Sequence, residues 1–150
     1  PVEQSDAARL LADAADRHAF VLYAGDGRAW LLELKDLAPV AAAAGPGRSP
    51  DYVGLDVVVL HSLLLDRFFG VNPDNIENHV KYERDPARAM ARVDSGDYQA
   101  CFLMNPTRVE QVRTLSAQGE RMPQKSTDFY PKLASGLVFM DIAKGETLPG

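Results

Sequence analysis

Apolar residues first recur along the chain with helical spacing. Leu10, Leu11, Ala14 and Ala15 share a face of residues 5–18, which predict a helix capped by Ser5 or Asp6. Asp13 and Arg17 stand one helical turn apart and are expected to pair on its surface. The period then changes. Phe20-Val-Leu-Tyr23 and Trp30-Leu-Leu-Glu-Leu-Lys35 flank Gly25-Asp-Gly27, the signature of a β-hairpin. In the second strand Trp30, Leu32 and Leu34 take one face, and Leu31, Glu33 and Lys35 the other.

Residues 36–52, rich in Ala, Gly and Pro, read as a flexible connector. Residues 55–69 predict a helix capped by Asp56, ended by Gly70, and apolar enough to be covered on most sides. Asn72-Pro73-Asp74-Asn75 is a turn cluster, and 76–82 alternate as a strand, with Ile76, Val80 and Tyr82 inward and Glu77, His79 and Lys81 outward. Asp85-Pro86 opens a helix with Met90 and Val93 inward, closed by Ser95-Gly96. Residues 98–104 are apolar enough for a central strand, with Cys101 a small buried hydrophobe. Asn105-Pro106-Thr107 starts another helix, with Val109, Val112 and Leu115 inward and Gly119 as its stop; 137–140 form the last strand. Strands separated by helices predict an α/β or α+β fold, with a mixed, partly parallel sheet of about five strands flanked by helices.

Composition narrows the function classes. A length of 150 residues makes a single domain with a real core, and 46% hydrophobic with 25% charged residues is ordinary for a soluble protein. A net charge of −5 argues against nucleic acid as a partner. The lone Cys101 excludes a disulfide framework and fits a reducing cytoplasm. No signal peptide or bilayer-length apolar run is evident. The first residue is Pro1, so a processed or partial chain is expected.

The densest chemistry lies in residues 119–132. Arg121, Lys125 and Lys132 join Ser126, Thr127 and Tyr130, three cations and three hydroxyls within twelve residues, stiffened by Pro123 and Pro131. Such a loop suits a phosphate or carboxylate; a solvated basic loop is the plain alternative. It is not a P-loop, because Gln124 replaces the second glycine and the segment follows a helix. Asn105 and Thr107, where a strand meets a helix start, suit an anion or simple capping. His61 is either a hydrogen-bonded core histidine or a site residue. Glu77 and His79 share a strand face, so they either share a proton or a metal or form a solvated face. No Gly-x-Ser-x-Gly elbow, zinc spacing or dinucleotide-binding glycine array occurs, so no metal site is expected.

Leu55-Asp56 with Leu60-His61, Phe102-Leu-Met-Asn-Pro-Thr107, Gly119-Glu-Arg-Met-Pro-Gln-Lys-Ser-Thr127, Phe129-Tyr-Pro-Lys132 and Gly136-Leu-Val138 together resemble one family. It is a bacterial and archaeal family catalogued as a domain of unknown function and related to ParB-like free-serine kinases. The resemblance covers residues 52–140 and is sharpest at Met-Pro-Gln-Lys-Ser-Thr. It implies the C-terminal part of a longer protein, with ATP and Mg2+ as cofactors, a small-molecule substrate (free L-serine), and a preceding domain as partner. On that reading the isolated chain is expected to be inactive. The resemblance further implies that Arg121 and Lys125 clamp phosphate or carboxylate oxygens and that Ser126 and Thr127 donate hydrogen bonds or touch magnesium. Asn105 and Thr107 would form the facing wall, and His61 or Glu77 would orient the attacking hydroxyl. Asp128 departs from the family pattern, placing a carboxylate where an aromatic residue is expected. The competing expectation is a non-catalytic scaffold or regulatory domain.

Overall fold

In the structure, a computed structural model, residues 1–127 are described. They form a mixed α/β arrangement around a four-stranded, wholly antiparallel sheet. Strand β1 (Val2–Glu3) leads through a 3-10 turn (Gln4–Asp6) into helix α1 (Ala7–Asp13). The hairpin of β2 (Ala19–Tyr23) and β3 (Arg28–Glu33) follows as expected, with Phe20 opposite Leu32 and Leu22 opposite Trp30. Its turn holds Gly25 at φ 94°, Asp26 at 59° and Gly27 at 72°, left-handed values that glycine and aspartate tolerate better than most residues.

The stretch read as a connector contains α2 (Ala38–Ala44) and α3 (Pro50–Val53), and Val40 within it is fully buried. Helix α4 (Asp56–Val59) continues without a break as a π-wound turn (Leu60–Phe68), ended by Gly70 at φ 67°. Val57 to Leu60 and Leu65 are buried, but Phe68 and Phe69 are exposed, so the described residues leave the far end of this helix open.

Residues 76–82 are not a strand. Ile76–His79 form a short helix, α5, with Val80 N donating to Ile76 O. Ile76 and Val80 stand one helical turn apart and pack on the same core cluster, so both a strand period and a helical period fit them. Helix α6 (Pro86–Asp94) starts as its cap predicts: Asp85 Oδ1 accepts from Ala87 N at 2.9 Å, and Met90 and Val93 are buried.

Strand β4 (Cys101–Met104) pairs antiparallel with β2, giving the order β1-β3-β2-β4. The partly parallel sheet of about five strands is therefore corrected. The helices between β3 and β4 do not make a parallel crossover, the segment at 76–82 contributes no strand, and 137–140 lie outside the described residues. Among those residues β4 is an edge strand, not a central one. Its apolar character comes from cover on both faces. Phe102 and Met104 pack with Phe20, Leu32, Val40, Val59 and Leu115, while Cys101 and Leu103 pack with Val21, Tyr23, Leu11 and Met90. The sheet thus separates two apolar layers. Helix α7 (Val109–Ala117) closes the first of them through the fully buried Leu115.

Surface pairing at the first helix also differs from expectation. Arg9 pairs with Asp6 and Asp13, and Arg17 turns instead to Glu33 at 2.6 Å. No described helix is long and apolar enough to cross a membrane.

Candidate functional site

The connection between β4 and α7, residues 105–108, carries candidate chemistry on two sides. Helix α7 begins later than the Pro106 signal suggests. Arg108 is its N-cap residue, and its backbone N–H donates to Gln111 Oε1 at 2.9 Å. Asn105 and Thr107 consequently do not sit among the free amides of the helix start. Asn105 Nδ2 donates to Leu11 O at 3.0 Å, tying the end of β4 to α1. Thr107 Oγ1 donates to Ser126 O at 2.8 Å, tying the connection to the loop that follows α7.

That loop is shaped from within. Ser126 Oγ donates to Pro123 O. Lys125, between those two residues, has φ 61°, a left-handed conformation that costs a non-glycine residue about 1–2 kcal/mol. At its base, Glu120 accepts from Ser49 N at 3.3 Å and lies 3.5 Å from Arg48 Nη1, whose guanidinium stacks 4.2 Å over the Tyr52 ring. Arg121, Lys125 and Thr127 are exposed, and Ser126 is half-buried. Among the described residues, neither Arg121 nor Lys125 forms an ion pair. Tyr130 and Lys132 lie outside the described residues.

On the other side of the same connection is a cleft of about 180 Å³ bordered by Arg17, His18, Gly54, Asp56, Asn105 and Arg108. At its wall His18 Nδ1 lies 2.7 Å from Asp56 Oδ1. The sequence places each partner firmly. His18 immediately precedes β2, and its carbonyl accepts from Leu34 N at 2.8 Å, so it extends the hairpin ladder. Asp56 is the first residue of α4, set by the buried Leu55. Gly54 lies beside the ring: a Cβ there would stand 4.0 Å from His18 Cε1, an ordinary contact, and 3.3 Å from Pro50 O, a tight one. An ionised carboxylate only accepts, so Nδ1 carries the proton, and in a neutral ring Nε2 is left as the acceptor. Side-chain exposures of 31% for His18 and 21% for Asp56 leave the pair within reach of a small solute. Among the described residues no serine, threonine or cysteine borders this cleft, so it offers no hydroxyl or thiol nucleophile.

Charges around the cleft balance. Arg17 is committed to Glu33 and lies 3.8 Å from Asp16, whereas Arg108 forms no ion pair among the described residues. Gln111 has its Oε1 engaged by Arg108 N, which leaves its Nε2 as a donor.

Comparison with protein-family models, with curated proteins and with solved structures finds no match to this chain.

The other residues singled out by sequence are dispersed. His61 is half-buried, its ring 6.4 Å from that of Tyr82, and burial holds its imidazole below the ordinary value. It makes no hydrogen bond among the described residues. Glu77 and His79 are exposed on α5, where two positions differ by roughly 200°. The shared strand face expected of them does not exist. Among the described residues no cluster of three His, Cys, Asp or Glu side chains could hold a metal.

Sequence reasoning missed the His18–Asp56 pair. Asp56 was legible only as a helix start, and His18 only as the end of a helix that in fact stops earlier, at Asp13. A histidine directly before a strand was the one local signal; nothing in the sequence told which carboxylate would meet it.

Proposed function

We propose that this chain is the phosphate- and substrate-binding part of an ATP-dependent small-molecule kinase of the free-serine type, in the family its Met-Pro-Gln-Lys-Ser-Thr string resembles. The observation that carries the reading is the backbone of Lys125. A lysine held at φ 61°, between Pro123 and a Ser126 whose hydroxyl bonds back to Pro123 O and whose carbonyl is clamped by Thr107, is a cation presented at the expense of local stability. Backbone strain of this kind concentrates at functional sites.

In this reading Lys125 and Arg121 neutralise charge on the transferring phosphoryl group or on the substrate carboxylate, and Thr127 adds a hydroxyl. ATP and Mg2+ are held with the help of a preceding domain. Phosphoryl transfer needs mainly positioning and charge neutralisation, so one well-placed lysine has a large share of the effect.

The test is the full-length protein with ATP, magnesium and L-serine, assayed for phosphoserine. Lys125→Ala lowers turnover at least about tenfold, about 1.4 kcal/mol of barrier. Lys125→Gly lowers it as much while making the loop more stable, because glycine accepts the left-handed backbone. Unchanged turnover in both variants removes Lys125 from the chemistry.

A second reading, a non-catalytic scaffold or regulatory domain, is favoured by the base of the loop. Glu120 there is engaged with Arg48 and Ser49, which is a fastening and not a ligand cradle. Absence of phosphoserine from the complete protein selects this reading.

A further inference from the structure

The cleft beside His18 has a chemistry separate from that of the lysine loop, and it stands independently of the kinase reading. Three features define it. The Asp56 carboxylate fixes the His18 ring through Nδ1 at 2.7 Å and, in the neutral ring, leaves Nε2 as an acceptor. Arg108, exposed and without an ion pair among the described residues, supplies a forked donor at the rim. The volume of about 180 Å³ is below the usual range for drug-sized ligands, so it suits a solute of a few heavy atoms.

Field strength does not select the ligand. Asp16 and Asp56 offset Arg17 and Arg108 around the cleft, so the site is not a general trap for anions. Selection falls to the donor and acceptor set: a planar donor fork and a lone imidazole acceptor on one small cleft. A ligand that satisfies both carries an oxyanion and a hydroxyl donor in one small molecule.

We propose that the His18–Asp56 cleft is a binding site for a small oxyanion that also bears a hydroxyl group. The oxyanion sits on Arg108, with Gln111 Nε2 as a further donor, and the hydroxyl donates to His18 Nε2. Hydrogen phosphate and a short hydroxy-carboxylate share this chemistry. Sulfate and acetate present the oxyanion alone.

The test is titration of the complete chain with inorganic phosphate, glycerate, sulfate and acetate, followed by the imidazole ¹⁵N and ¹H resonances of His18. Phosphate, glycerate or both shift those resonances saturably and bind about three- to tenfold more tightly than sulfate and acetate, the span of one neutral hydrogen bond. Saturation by only one of the pair identifies the source of the oxyanion. The resonances of the free protein report a ring protonated at Nδ1.

Asp56→Asn inverts the site. Its amide donates to Nδ1, Nε2 becomes the donor, and the preference for hydroxyl-bearing ligands over sulfate disappears. Arg108→Ala, a change at an exposed position, weakens all four ligands together. The proposal is overturned if none of the four saturates, if sulfate or acetate binds as tightly as the hydroxyl-bearing pair, or if the preference survives in Asp56→Asn. A ring protonated at Nε2 in the unaltered protein also overturns it.

Discussion

Thr107→Val isolates the tie between the β4–α7 connection and the lysine loop. The substitution keeps the side-chain size and deletes the Oγ1 donor that reaches Ser126 O at 2.8 Å. One neutral hydrogen bond is worth about 0.5–1.5 kcal/mol net. Ser126 is half-buried, so water can reach its carbonyl once the loop moves, and the loss belongs near the lower end. Converted at RT of about 0.59 kcal/mol, this raises the population of the opened loop roughly two- to fivefold for a loss of about 0.5–1 kcal/mol. Native-state hydrogen exchange reads that population directly: amides of residues 121–127 exchange faster by the same factor. The urea midpoint of the whole chain falls only by the equivalent of that same loss of about 0.5–1 kcal/mol, because the unfolded chain also lacks the bond. Unchanged loop exchange shows that the bond does not hold the loop. A midpoint that falls by more than the loss of one hydrogen bond shows that the loop unfolds with the core and is no separable element.

Two predictions concern titrating groups. Burial lowers His61, so the unfolded chain binds more protons in the window between the depressed folded value and the ordinary imidazole value of about 6.5. Stability is therefore complete above that ordinary value and falls as the pH drops through the window. Urea midpoints measured from pH 7.5 to 5 should decline less in His61→Leu than in the unaltered protein, and identical slopes refute the assignment. Burial, with Asp94 nearby, pushes the Cys101 thiol up to about 11. At pH 8 its thiolate fraction is roughly one in a thousand, so iodoacetamide should modify it about a hundredfold more slowly than a thiol of ordinary acidity near 9. Alkylation at the ordinary rate means that the strand edge opens readily.

What the sequence disclosed was what local chemistry decides. The hairpin followed from Gly25-Asp-Gly27 between apolar runs, and α6 from Asp85-Pro86, because turn and cap preferences act within a few residues. Ile76 and Val80 failed as strand markers because the same two positions also share a helical face. Residues 101–104 were read as central because burial on two faces and hydrogen bonding on two edges leave the same apolar trace, although they are independent directions. Val40 was hidden in an alanine run whose composition resembles a linker. Of the candidate site, the loop at Lys125 was legible from residue types, but its φ was not. The His18–Asp56 contact was not legible at all, since it depends on how the hairpin and α4 pack.

The order β1-β3-β2-β4 carries a consequence for how the molecule acquires its cleft. The hairpin can zip early, because its partners are close along the chain. Phe20 meets Met104 only after all the intervening helices have been synthesised and gathered in, and closures across such spans come late and slowly. Arg17 and His18, Gly54 and Asp56, and Asn105 and Arg108 come from three separate tracts that converge through that closure. During refolding, strand signal from the hairpin should thus precede any ligand response at His18, and a nascent chain gains the pocket only once Arg108 has left the ribosome.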